Sequence, residues 1–351
     1  MLHSLRLSDF RCFPSLDLEV GEEGVILLGD NGQGKTSVLE AVCVLIRLHS
    51  PRTHRFGVMA RHGGRQFGIA GNPWGAERKV IHQADGLELS ADGETSMSRS
   101  AYLADGGLLV WMGNEDLDLI RGPGEGRRRF LDFIGSQIDP GYRRSLSRYR
   151  RALAAKNLLL RNATPRMAEI LSYEEILVEH GSHLNTTRQR IVRDLAPLAA
   201  GFQQSISGTK ETLDLTYLPA NGPDLRESIL QARERETRLR QAVVGPHRDD
   251  LSLRLQAMPA ADFASEGQQR TIALALKLAQ GALLEQCTRR VPIYLLDDIF
   301  GELDPSRRNA LMAHLPRTAQ KWITTTRIDW LNQQGDLGNL TRFTVRNGTC
   351  G

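Results

Sequence analysis

The chain has 351 residues, 40% hydrophobic and 25% charged, which is the balance of a globular protein with one large core or two smaller ones. No apolar run approaches the ~20 residues of a membrane span, and the N-terminus MLHSLRLSDFRCF is charged and interrupted, unlike a signal peptide. Cys12, Cys43, Cys287 and Cys350 are scattered without a C-x-x-C pair, which argues against a disulfide framework or zinc site and fits a reducing cytoplasm. A net charge of +4 with pI ≈ 9.0 permits a nucleic-acid partner without requiring one.

In chain order, SLRLSDF, LDLEV and the apolar GVILLG read as strands. The last runs into GDNGQGKT, and SVLEAVCVLIRL follows with Leu39, Val42, Cys43 and Ile46 at i, i+3, i+4 and i+7, a helix with one buried face. From Arg65 to Met97, short runs separated by Gly, Asp and Asn predict an antiparallel meander. From Tyr142 the spacing becomes helical, through Leu146, Tyr149 and Leu153. After Pro165, Ile170, Leu177, Leu184 and Ile191 recur every seventh residue. Two or three helices packed as a short arm follow from this, an all-helical insert in α/β material. The strand pattern returns at VVGPHRDDLSLRL. A helix from Gln268 then places Ile272, Ala275, Leu276, Ala279 and Leu283 on one face. VPIYLLDDIF reads as a buried parallel strand, WITTT as its neighbour and RFTVRNG as a late edge strand.

Chemistry concentrates at three places. GDNGQGKT, Gly29 to Thr36, fits G-x-x-x-x-G-K-[ST] in full. Gly29, Asp30, Asn31, Gly32, Gln33, Gly34, Lys35, Thr36 and the adjoining Ser37 form the expected nucleotide cradle. Gly32 and Gly34 let backbone N–H groups converge on a β-phosphate, Lys35 reaches the β- and γ-phosphates, and Thr36 offers its hydroxyl to Mg²⁺. IYLLDDIFGELD supplies Asp297 to hold Mg²⁺ and Asp298 to orient or deprotonate the attacking water. ASEGQQRT opens a helix with Ser265, Gly267 and Gln268, which suits either a helix cap or a second phosphate reader. Its place shortly before the acidic strand favours the reader.

That order of motifs resembles ABC-type ATPases, whose signature L-S-G-G-Q stands here as Ala264-Ser265-Glu266-Gly267-Gln268. In that class the signature of one head faces the γ-phosphate held by another, so the second reader would serve a partner's ATP. LRLSDFRCF, GDNGQGKTSVLEAV, IRGPGEGRRRFLD, GPHRDDL, ASEGQQRTIALALKLAQ and PIYLLDDIFGELDPSRRNAL further resemble the RecF family, along most of the length. The resemblance implies an α/β fold: an ABC-type P-loop ATPase head with a mixed sheet plus an antiparallel β meander, interrupted by a short helical arm lobe and related to SMC heads. Residues 1–138 and 245–351 would be the two halves of the head and 139–244 the arm. It implies ATP and Mg²⁺ as cofactors and an ATP-dependent homodimer on double-stranded and gapped DNA. It also implies a role with RecR, RecO and RecA at single-strand gaps in repair and replication, cytoplasmic and linked to the SOS response.

Carried over residue by residue, Lys35 and Asp298 are catalytic, and Asp304 lies in the loop that communicates across the dimer. Asp298 stands where most ABC proteins have glutamate, which implies slow turnover. Thr325 takes the place of a γ-phosphate-sensing histidine, and Arg11 is a candidate nucleotide contact. Glu266 departs from the family pattern, as does VWMGNEDLDLI, which lacks the glutamine many ABC heads use for Mg²⁺. Arg127, Arg128 and Arg129, with Arg143, Arg144, Arg148, Arg150 and Arg151, suit sequence-independent contacts to DNA phosphates. The rivals are another SMC-like genome-maintenance ATPase, a transporter nucleotide-binding subunit and a small-molecule kinase. DNA-stimulated hydrolysis separates the DNA readings from the transporter, and ATP-driven dimerisation excludes the kinase.

Overall fold

The computed structural model describes residues 1–104, 106–162, 164, 166–208, 210–328 and 339–351; Pro165, which precedes the seven-residue spacing, lies outside the described residues. The chain forms two compact units, Met1–Asn114 with Leu284–Gly351, and Glu115–Leu283.

Continuous apolar runs build the centre of the first unit. Strands Leu109–Gly113, Ile293–Asp297, Lys321–Thr325, Gly24–Leu28 and Thr341–Arg346 lie side by side in that order, all parallel. Val25, Ile26, Leu27, Ile293, Leu295, Leu296, Trp322 and Ile323 are buried, as a parallel sheet covered on both faces requires. The register matters for chemistry: Thr324 stands opposite Asp297 on one side and Leu27 on the other. The phosphate-loop strand and the acidic strand therefore end level, at the carboxyl edge where open α/β sheets place their ligands. Helix Lys35–Arg47 buries Leu39, Val42, Cys43 and Ile46, as its period predicts, and most of its other face as well.

The expected meander is a five-stranded antiparallel sheet in the order Phe13–Glu19, Leu2–Phe10, Phe67–Pro73, Arg78–Gln83, Gly86–Ala91. Two details differ from expectation. RFTVRNG is next to the edge, because the chain turns at Asn347–Gly348 and adds Thr349–Cys350 antiparallel outside it. Strand Leu109–Gly113 was not foreseen; five apolar residues carry no period that distinguishes strand from helix.

The second unit is built on helices Gly124–Ile138, Pro140–Leu160, Met167–Ser207 and Leu225–Leu239, with most of helix Glu266–Thr288. Ile170, Leu177, Leu184 and Ile191 are all buried along the long helix. Leu177 and Leu184 meet Tyr142, Tyr149, Ala152, Leu225 and Ile229 in one core. The insert is not all-helical, contrary to the expectation above. Leu213–Leu218 pairs antiparallel with Asp250–Leu255, which pairs in turn with Met258–Pro259. LDLTYL alternates in the way a half-buried strand should, but its partner lies beyond the next helix in sequence. VVGPHR, by contrast, stays out of the strand. Gly245 has φ +123°, and a Cβ there would lie 2.5 Å from the Tyr149 hydroxyl.

Candidate nucleotide-binding site

The loop after strand Gly24–Leu28 turns through left-handed backbone at Gly29 and Gly34, where two close approaches demand glycine. A Cβ on Gly29 would sit 2.3 Å from the Val345 carbonyl oxygen, and one on Gly34 would sit 2.6 Å from Cys12 Sγ. Gln33 Oε1 accepts from the backbone amide of Asn347 at 2.7 Å, tying the loop to the last hairpin. Asp30, Asn31 and Gly32 form its exposed crest, while Ser37 is buried and its amide donates to the Gly34 carbonyl at 2.9 Å.

Lys35 is buried and folds back over the loop. Its Nζ donates to the carbonyls of Gly29 at 2.6 Å and Asp30 at 2.9 Å. Burial holds its pKa below the usual lysine value, against the pull of Asp298, Asp297 and Asp30. On the neighbouring strand end, Asp297 Oδ1 accepts from Thr36 Oγ1 at 2.9 Å and from Thr324 Oγ1 at 2.8 Å. The backbone amide of Asp298 donates to that same Thr324 hydroxyl at 2.8 Å. Asp298 has φ +51°, an uncommon conformation for a non-glycine residue and one found at functional turns. Burial raises its carboxyl pKa, with Lys35 opposing the shift and Glu302 adding to it. The structure thus brings Lys35, Thr36, Asp297 and Asp298 together across 261 residues of sequence separation between Thr36 and Asp297. Thr324 went unforeseen. A fully buried threonine in register with Asp297 was its only signal.

Other expected residues serve the frame. Arg11 grips the buried Glu40 of the loop helix through Nε at 2.8 Å and Nη2 at 2.6 Å, and its Nη1 donates to the Val58 carbonyl at 2.8 Å. Thr325 Oγ1 donates to the Arg327 carbonyl at 2.8 Å. Asp304 caps helix Pro305–His314, accepting from the Arg307 amide at 3.0 Å and pairing with the Arg307 side chain.

In the second unit, Ser265 and Gln268 form a reciprocal capping box. The Ser265 amide donates to Gln268 Oε1 at 2.8 Å, and the Gln268 amide donates to Ser265 Oγ at 3.3 Å. Gln268 Nε2 also donates to Glu211 Oε1 at 2.8 Å, and the Gly267 carbonyl accepts from Thr271 Oγ1 at 3.0 Å. Glu266 is turned along its own helix to Arg270 at 3.0 Å.

The three arginines of IRGPGEGRRRFLD part company. Arg127 makes a two-pronged ion pair with Asp250, at 2.7 and 2.8 Å, and donates to the Gly122 carbonyl at 2.8 Å. Arg128 donates to the Asp249 carbonyl at 2.8 Å. Only Arg129 is exposed, paired one turn back with Glu125. GPHRDD is the hub that receives the first two. Its Pro246 carbonyl and Asp249 Oδ2 accept from the buried Arg188 at 2.7 and 3.1 Å, and Arg188 also holds Asp132 at 2.8 Å. His247 Nδ1 lies 2.7 Å from the Tyr149 hydroxyl and Nε2 lies 3.2 Å from the Ala242 carbonyl.

A phosphate loop on one parallel strand, level with an acidic strand end two strands away, defines a phosphate-loop ATPase head. The chain belongs to the RecF family. It is 35% identical to the DNA replication and repair protein RecF of Gloeobacter violaceus, covering 100% of this chain and 98% of that one. It is 36% identical to RecF of Anaeromyxobacter sp., covering 93% and 92%. A solved structure of the recombination mediator protein RecF with ATP superposes with TM-score 0.89 at 26% identity, over 100% of this chain and 96% of that one. The SMC head domain of Pyrococcus furiosus shares the fold at TM-score 0.57 and 16% identity, over 99% and 94%. No protein-family model matches the chain.

Proposed function

We propose that the chain is a slow, DNA-stimulated ATPase that closes into a homodimer around ATP on double-stranded or gapped DNA. In this reading it assists RecA loading at single-strand gaps in company with RecR and RecO, in the cytoplasm. The head would comprise residues 1–138 and 245–351, with 139–244 as the arm lobe. Among the described residues no helix is long and apolar enough to cross a membrane.

The observation that carries this reading is Asp297 Oδ1 accepting from both Thr36 and Thr324. It joins the phosphate loop to the acidic strand end through hard oxygen donors. One carboxylate and one hydroxyl suit Mg²⁺, which takes its remaining ligands from phosphate oxygens and water; among the described residues no cluster of three His, Cys, Asp or Glu suggests a different metal. When bound, Mg²⁺ neutralises charge on the transferred phosphate. The residues from Gly29 to Ser37 hold the phosphates, and Lys35 turns from the loop carbonyls to the γ-phosphate. Asp298 orients the attacking water and takes its proton, a role helped by a carboxyl pKa raised through burial. Ser265, Gly267 and Gln268, preset by their capping box, read the γ-phosphate held by a second copy. Exposed arginines of helix Pro140–Leu160, with Arg129, contact DNA phosphates.

Sedimentation with ATP and gapped duplex tests these parts together. Asp298→Asn keeps ATP binding, loses about 100-fold or more in turnover, and accumulates as an ATP-bound dimer. Ser265→Arg binds ATP but stays monomeric. An Asp298→Asn protein that remains monomeric with ATP would sink the sandwich.

A further inference from the structure

Between helices Pro140–Leu160 and Met167–Ser207 lies a cavity of about 330 Å³, lined by Arg144, Ser145, Arg148, Glu179, His180 and His183. Arg144 and Arg148 are one turn apart on the same helix and face the same way. Neighbouring arginines are spoken for: Arg150 pairs with Asp132 at 3.0 Å, Arg127 with Asp250, and Arg129 with Glu125. Among the described residues no carboxylate pairs with Arg144 or Arg148. Two guanidinium groups without an ion-pair partner therefore open onto one concave space beside the buried Ser145, with Glu179 and two imidazoles on the opposite helix.

We propose that this cavity is a phosphate site, taking one phosphate group of a nucleic-acid strand between Arg144, Arg148 and the two histidines. The proposal rests on the DNA-binding reading above and gives it a specific anchor in the second unit. Guanidinium groups supply directed donors to phosphate oxygens, and His180 makes the binding proton-linked. Burial holds His180 below the usual imidazole pKa. Glu179, 4.0 Å away, opposes that, while Arg148 and His183 press the same way as burial. His183 itself faces Asp139 at 3.2 Å from the adjoining helix, and Arg144 completes the charged groups of the lining. A phosphate placed among these groups adds negative charge beside His180 and draws a proton onto it. Affinity for DNA should therefore rise as pH falls.

The test uses the full chain with ATP, fluorescently labelled duplex DNA at several salt concentrations, and pH 8 against pH 6. Wild-type affinity is expected to rise about tenfold over that interval, and His180→Gln/His183→Gln to lose the rise. Arg144→Ala/Arg148→Ala should weaken binding and flatten the salt slope by about one, with ATP binding unchanged in both variants. Inorganic phosphate should shift the imidazole NMR signals of the wild type and not those of the arginine variant. Unchanged slope and pH response in the variants would overturn the strand assignment, and if phosphate still moved the imidazoles the cavity would be a free-phosphate site instead. Imidazole signals indifferent to phosphate would overturn the site altogether. A wild type that binds no DNA under any condition, while its imidazoles answer phosphate, would sink the DNA reading and leave the cavity standing as a free-phosphate site.

Discussion

The two units bury charge in opposite ways. In the first, Lys35, Asp297 and Asp298 gather at a sheet edge with neutral partners: backbone carbonyls for the lysine, and threonine hydroxyls for Asp297. The cation and the carboxylates sense each other's charge across the strand end. In the second, Arg188 sits between Asp132 and Asp249, with the Tyr142 and Tyr217 hydroxyls donating to those two carboxylates. That network is held by buried ion pairs and hydrogen bonds. Neutral partners mark the candidate site, whereas ion pairs mark the scaffold.

The widest separation between the two comes from breaking the scaffold. Arg188→Met should cost about 3–5 kcal/mol, because it leaves buried Asp249 without a cation and Asp132 with only the exposed Arg150. Chemical denaturation would show the loss, and a variant as stable as wild type would mean that the network contributes nothing net. Lys35→Ala should do the reverse: about a 100-fold loss or more of ATP affinity, with an unfolding midpoint close to wild type. Isothermal titration with ATP reads the first and thermal unfolding the second. A Lys35→Ala protein that failed to fold would place this lysine with the scaffold.

A subtler division is set by pH. Burial pushes His247 down to about 4, and its Nδ1 and Nε2 contacts suit the neutral ring. Above pH 6.5 the ring is neutral whether the chain is folded or not. Between 6.5 and 4 the unfolded chain takes up a proton that the folded one refuses, so stability falls with pH, by about 3 kcal/mol across the window. Carboxylates titrate nearby, so the measurement is the difference between wild type and His247→Gln in denaturant titrations at pH 7 and pH 5. Equal slopes in the two proteins would refute the assignment.

Local pattern made the phosphate loop, the acidic strand and the heptad-spaced helix legible, since each carries its signal within one short contiguous stretch of sequence. What escaped it depends on partners distant in sequence. Arg127, in a run of three arginines, looks like a DNA contact until Asp250 closes on it from 123 residues away. GPHRDD has the polarity of a site, yet its proline carbonyl and Asp249 are consumed by Arg188. Strand Leu213–Leu218 alternates correctly but finds its partner only after a further helix. Thr324 needed the sheet register to be seen beside Asp297. Side-chain pairing across a fold has no period, and a sequence read alone cannot supply it.

Ser265 sits on the boundary between the two kinds of residue, and the smallest predicted effect falls there. Its hydroxyl accepts from the Gln268 amide at 3.3 Å, a long bond on an exposed helix end. Ser265→Ala should therefore lower stability by only about 1 kcal/mol as a lost cap. If the serine also donates to the γ-phosphate of a second copy, the same substitution should weaken ATP-dependent dimerisation by more than the cap accounts for. Ser265→Asp separates the two roles. Aspartate is as good a cap and restores stability, but its negative charge opposes a phosphate. Unfolding and sedimentation run on both variants decide between them. Should Ser265→Asp recover both stability and dimerisation, the residue is a helix cap and nothing more.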